Sequence, residues 1–146
     1  MNALVVAFAV LAGVAGSVQV AVMSKLGDRV GTFGALAWAT TLSAVLALAL
    51  LLVVRQGFGE LAAAARQPLW LWMGGLMGLI VVLAITVAGG RIGVIATVSV
   101  LLAGQFAAGA AIDHWGLLGA EKIGVPWWRV VGIVLLGIGA ALTLKR

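Results

Sequence analysis

Residues 3–24 read ALVVAFAVLAGVAGSVQVAVMS, a stretch with no charged side chain in which only Ser17, Gln19 and Ser24 are polar. At ~1.5 Å rise per residue, a helix of that length extends about 33 Å, which matches a bilayer hydrocarbon core of roughly 30 Å. A helix on a soluble core would alternate an apolar stripe with a charged face, and this run has no such face. It reads as a membrane span. Working outward, comparable runs occupy 32–54, 69–88, 92–112 and 127–144. The expected fold is therefore all-α and integral to the membrane, with five transmembrane helices in a single domain over residues 1–146.

Composition supports the same medium. The chain of 146 residues is 64% hydrophobic and 9% charged, with a mean hydropathy of +1.27, whereas a soluble domain is about a quarter charged. Net charge is +5, but the basic residues sit singly or in pairs at the ends of apolar runs. That pattern fits membrane anchoring better than a phosphate-binding stripe, so nucleic acid is not an expected partner. There is no cysteine and one histidine, which leaves no material for a disulfide, a thiolate metal site or a nucleophile triad. No catalytic residue, metal or cofactor is expected. Met1-Asn2 runs straight into the first apolar stretch without a basic n-region, so that stretch is read as a retained span.

The connections alternate between short (25–31, 89–91) and longer (55–68, 113–126). Pro68 and Pro126 each precede a Trp-bearing helix start, where a missing N–H costs little. Residues 62–65 suggest an interfacial helical turn. Orientation should follow the Lys/Arg bias of the flanks. One side collects Arg55, Arg66, Lys122 and Arg129; the other collects Lys25, Arg29, Arg91, Lys145 and Arg146. Such a near tie admits two readings: one-way insertion decided by other signals, or insertion both ways with antiparallel pairing. Trp70, Trp72, Trp115, Trp127 and Trp128 fall on one interface and only Trp38 lies toward the other, a lopsided belt that an inverted partner would complete.

No ionisable residue falls at mid-span, where its cost would mark it as functional. The polar groups inside the spans are neutral. Gln19 and Gln105 are the costliest to bury, and with Ser17 and Ser99 they are the candidates for a substrate cavity, shared between two inverted chains. The competing reading makes each glutamine a hydrogen-bonded link between helices of its own chain. Asp113-His114, at the end of the fourth span, could relay protons at a cavity mouth or simply cap the helix. Gly74 with Gly78 forms a GxxxG, and Gly104-x-x-x-Ala108 and Gly137-x-x-x-Ala141 repeat the small-residue spacing that lets helices pack closely. Residues 89–93, GGRIG, lack the Lys-Ser/Thr of a P-loop and read as a tight turn.

Leu102-Ala103-Gly104-Gln105-Phe106, followed by Ile112-Asp113-His114-Trp115-Gly116-Leu117-Leu118-Gly119, resembles the YdcZ-like small inner-membrane exporters of the drug/metabolite transporter superfamily. Gln19 with Lys25-Leu26-Gly27, the stretch Trp72-Met73-Gly74-Gly75-Leu76-Met77-Gly78, and Gly132 are also similar. The resemblance covers nearly the whole chain. It implies a multi-pass protein of the bacterial inner membrane, half of a ten-helix inverted-repeat transporter, that pairs antiparallel to move a small molecule. The chain departs from the pattern at Met23 and Gly90, so no substrate is carried over. The alternative function is a non-transporting accessory or assembly subunit, which a partner would stabilise.

Overall fold

The computed structural model describes residues 3–55 and 57–145; Met1, Asn2 and Arg146, used in the sequence reading, lie outside them. Every regular element among the described residues is helical. Helix α1 spans Ala3–Val30, α2 Thr32–Arg55 and α3 Gly59–Ala65; a 3-10 turn at Leu69–Trp72 leads into α4, Met73–Ile92. Helix α5 spans Val94–Trp115, a second 3-10 turn covers Leu117–Gly119, and α6 runs Trp127–Thr143. Four segments, Ala3–Val30, Thr32–Arg55, Leu69–Ile92 and Val94–Trp115, are long and apolar enough to cross a membrane. Helix α6 is shorter at 17 residues, the lower end of the roughly 17–25 that can span.

Several boundaries differ from expectation, and for one reason. The first helix does not stop at residue 24 but continues through Lys25, Asp28 and Arg29 to Val30. The expected turn at 89–91 is likewise helical, and the fourth span begins at Val94 and ends at Trp115 rather than covering 92–112. Charge on a long side chain does not end a helix, because the stem can carry the head group toward water while the backbone ladder continues. Glycine in the left-handed region does end it. Gly31 has φ +81° and Gly93 φ +84°, and each is the single residue between consecutive helices. Arg29, Arg55 and Arg91 each sit in the last turn of a helix, where a cation complements the negative end of the dipole. Pro68 and Pro126 stand immediately before their helices, as expected, and α3 contains the turn expected at 62–65.

The chain falls into two compact units, Val22–Gly90 and Met1–Ala21 with Arg91–Arg146. In the first unit Met23, Ala35, Ile85, Thr86 and Gly89 are buried. Gly27 brings α1 so close to α4 that a Cβ there would lie 3.0 Å from the Thr86 Cγ2. The second unit is organised by α5 packing on α6, with Ala96, Thr97 and Ala140 buried.

Few large side chains are enclosed. Phe33 and Val53 are each 77% exposed, and most other Leu, Val, Ile, Phe and Trp side chains are also open. In water such a surface would aggregate; in hydrocarbon it is ordinary, and lipid or a partner chain must cover it. Several hydroxyls inside the helices are satisfied locally. Thr40 donates to the Leu36 carbonyl at 2.9 Å, Thr86 to Val82 at 2.7 Å, Thr97 to Gly93 at 2.8 Å and Ser17 to Gly13 at 3.3 Å.

The close approach at Gly27 makes a sharp expectation. Gly27→Ala should lower stability by about 1–3 kcal/mol through overpacking. Thr86→Ser, which deletes the obstructing methyl and keeps the hydroxyl, should recover most of the loss in the double variant. Denaturant titration in detergent, followed by helical circular dichroism, measures both; equal losses with no coupling would contradict the contact.

Candidate functional site

The α5–α6 hairpin holds a concavity lined from both of its helices. From α5 it takes Gln105, Gly109 and Asp113, which recur every fourth residue and so share one helix face. From α6 it takes Arg129, Gly132, Ile133 and Leu136, spaced as one face of a second helix. Phe106, Ala110 and Val125 complete a groove of about 520 Å³, which is within the usual range for small-molecule sites. The two glycines keep it open, since a Cβ at Gly109 or Gly132 would meet nothing within 4 Å. A second groove of about 460 Å³ shares Gly132 and Leu136 and extends toward Ser99 and Thr143. The two form a trough along the helix pair.

The mouth is set by the segment between the helices. Gly116 ends α5 in the left-handed region at φ +63°, and its N–H donates to the Ile112 carbonyl. Leu118 and Gly119 are also left-handed, at φ 57° and 77°, and the chain returns so that the Ile123 N–H donates to the Asp113 carbonyl at 2.9 Å. A Cβ on Gly116 would sit 3.3 Å from the Ala120 carbonyl oxygen. The run Gly116-Leu117-Leu118-Gly119 thus serves the turn that brings Asp113 opposite Arg129. Their side chains meet at 4.0 Å, Nη1 to Oδ2, and are half-exposed. Each charge stands at the unfavourable end of its own helix dipole, and the hairpin sets it beside the favourable end of the other.

The residues singled out from sequence are distributed unevenly. Gln105 and Asp113 line the main groove and Ser99 the second. Gln19 is exposed on α1 and lines neither groove. Ser17 is engaged with its own helix. Among the described residues neither Gln19 nor Gln105 makes a side-chain hydrogen bond. His114, about 100° around the helix from Asp113, is exposed and packs edge-on against Trp115 at 5.7 Å; it does not line the groove. A Cβ at Gly74, Gly78, Gly104 or Gly137 would meet nothing within 4 Å among the described residues. Among the described residues no three His, Asp or Glu side chains gather.

Sequence reading passed over Arg129, Gly109 and Gly132 as groove residues. Two signals were available: the fourfold spacing of Gln105, Gly109 and Asp113, and a basic residue in the first turn of a helix, where an acidic one is the stabilising choice.

Gly116→Ala should cost about 1–2 kcal/mol, the penalty for a Cβ in the left-handed region. Gly116→Asn should cost less, because Asn tolerates that conformation. Thermal unfolding in detergent distinguishes them; equal stability of the Ala variant would contradict the turn geometry.

The profile of one protein family, described as "Putative inner membrane exporter, YdcZ", matches residues 4–142. No curated protein and no solved structure matches the chain significantly. The match reaches into every helix and covers both signature stretches noted in the sequence, and the chain belongs to this family.

Proposed function

We propose that the chain is one protomer of a small-molecule transporter, in which two copies pair antiparallel and alternate access around a cavity between them. The observation that carries this reading is the pair of unbonded, exposed amides on otherwise apolar helices. An amide left without a partner in hydrocarbon costs several kcal/mol, so Gln19 and Gln105 need something polar outside their own chain. Gln19 lies eleven residues before the end of α1 and Gln105 ten before the end of α5, or about 16 and 15 Å of helix. Successive spans alternate in direction, so α1 and α5 finish on opposite faces. Turning one copy over brings the Gln19 of one chain to the depth of the Gln105 of the other, reproducing from two chains the inverted repeat found within many single-chain transporters.

The near-equal Lys/Arg distribution permits both insertions. The open space that a Cβ would find at Gly74, Gly78 and Gly104 suits close helix contacts with a second copy. The absence of an ionisable group at mid-span leaves facilitated diffusion as natural a mode as proton coupling.

The chain has no cysteine, so introduced thiols report without background. Gln19→Cys and Gln105→Cys in one polypeptide should form an inter-chain disulfide on mild oxidation of native membranes, seen as a dimer on non-reducing gels. Gln19→Leu should abolish solute movement in proteoliposomes while leaving the dimer intact. A dimer lost together with activity would favour a packing role for Gln19, and no cross-link would contradict the shared cavity.

A further inference from the structure

The polar end of the α5–α6 groove carries a charge arrangement that the paired-glutamine reading leaves unused. The Arg129 guanidinium contacts Asp113 only at 4.0 Å and, among the described residues, makes no hydrogen bond. Elsewhere in the chain Arg55 and Glu60 meet at 2.9 Å, within the usual distance for a formed guanidinium–carboxylate bond. The two sides of the mouth are also unequally satisfied. On the α5 side the Ile112 and Asp113 carbonyls both accept hydrogen bonds. On the α6 side there is no side-chain cap and no acidic residue in the first turn. The unmet demand is for negative charge. Below it the walls are apolar, with Phe106, Val125, Ile133 and Leu136, and open at Gly109 and Gly132.

We propose that this groove binds a free amphipathic anion: one carboxylate, sulfonate or phosphate on the Arg129 guanidinium, and an apolar body lying between α5 and α6. Asp113 is the intramolecular competitor that the ligand displaces. Size favours a free small molecule over a bilayer lipid. At roughly 30 Å³ per heavy atom, the share of a water in the liquid, a groove of about 520 Å³ takes on the order of 17 heavy atoms, far fewer than a two-chain phospholipid. The assignment names the substrate class for the proposed transporter and rests on that reading only for what happens to the anion after it binds.

The test uses the full chain in phosphatidylcholine nanodiscs, titrated with octanoate, octyltrimethylammonium and octanol, and followed by intrinsic fluorescence, since Trp127 and Trp128 adjoin Arg129 in sequence. Octanoate should give a saturable change that the cation and the alcohol do not. Arg129→Gln should weaken octanoate by about tenfold or more, the worth of a charge-assisted hydrogen bond. Asp113→Asn should tighten it several-fold, because the competitor loses its charge. The opposed directions separate a binding site from a merely structural ion pair, for which both variants would lose stability and binding together. Circular dichroism of each variant establishes that it is folded. Equal responses to all three amphipaths, or weaker binding in Asp113→Asn, would overturn the proposal. Competition by added phosphatidylglycerol in place of octanoate binding would assign the groove to lipid and overturn it as well. Octanoate bound but no solute moved in proteoliposomes would overturn the transporter reading and leave the site; solute moved without octanoate binding would do the reverse.

Discussion

In hydrocarbon a peptide group has no water to bond, and each unpaired N–H or C=O costs several kcal/mol. That constraint accounts for most of what this chain does. It keeps Val-rich sequence in helices that in water would be marginal. It holds the first helix together through Lys25, Asp28 and Arg29 until a left-handed glycine is reached. It also turns the hydroxyls of Thr40, Thr86 and Thr97 back onto their own helices. Among the described residues the Gln19 and Gln105 side chains make no such bond.

The hairpin of α5 and α6 applies the same rule to a turn. Gly116, Leu118 and Gly119 accept left-handed backbone so that the end of α5 can be capped from the returning strand of chain, through the bond from Ile123 to the Asp113 carbonyl. The side effect is that Asp113 and Arg129 face each other across a groove mouth. A stretch that looks like a functional signature in the sequence is thus first a solution to a backbone problem.

Much of this was legible without coordinates. Apolar runs of spanning length, Pro68 and Pro126 at helix starts, and the short helix around residues 62–65 follow from length, periodicity and turn chemistry. The exact ends did not. The end at residue 24 was set by Lys25 and the end at residue 88 by a turn read at Gly89-Gly90, yet the backbone turned at Gly31 and Gly93 instead. Gln105, Asp113 and Ser99 could be picked out as polar or ionisable groups in or beside apolar helix, but Arg129 could not be joined to them, because its relation to Asp113 depends on how the turn folds back. Gln19 was equally visible as a polar group, and among the described residues it makes no side-chain hydrogen bond.

The central claim is that this polypeptide inserts both ways up and completes itself with an inverted copy. Fusing a topology reporter to each terminus in separate strains, and scoring its side of the membrane in intact cells, measures this directly. The account predicts comparable populations of each terminus on both faces, shifting to a single face when one lysine or arginine is added to either flank. One uniform orientation, unmoved by such additions, would contradict it.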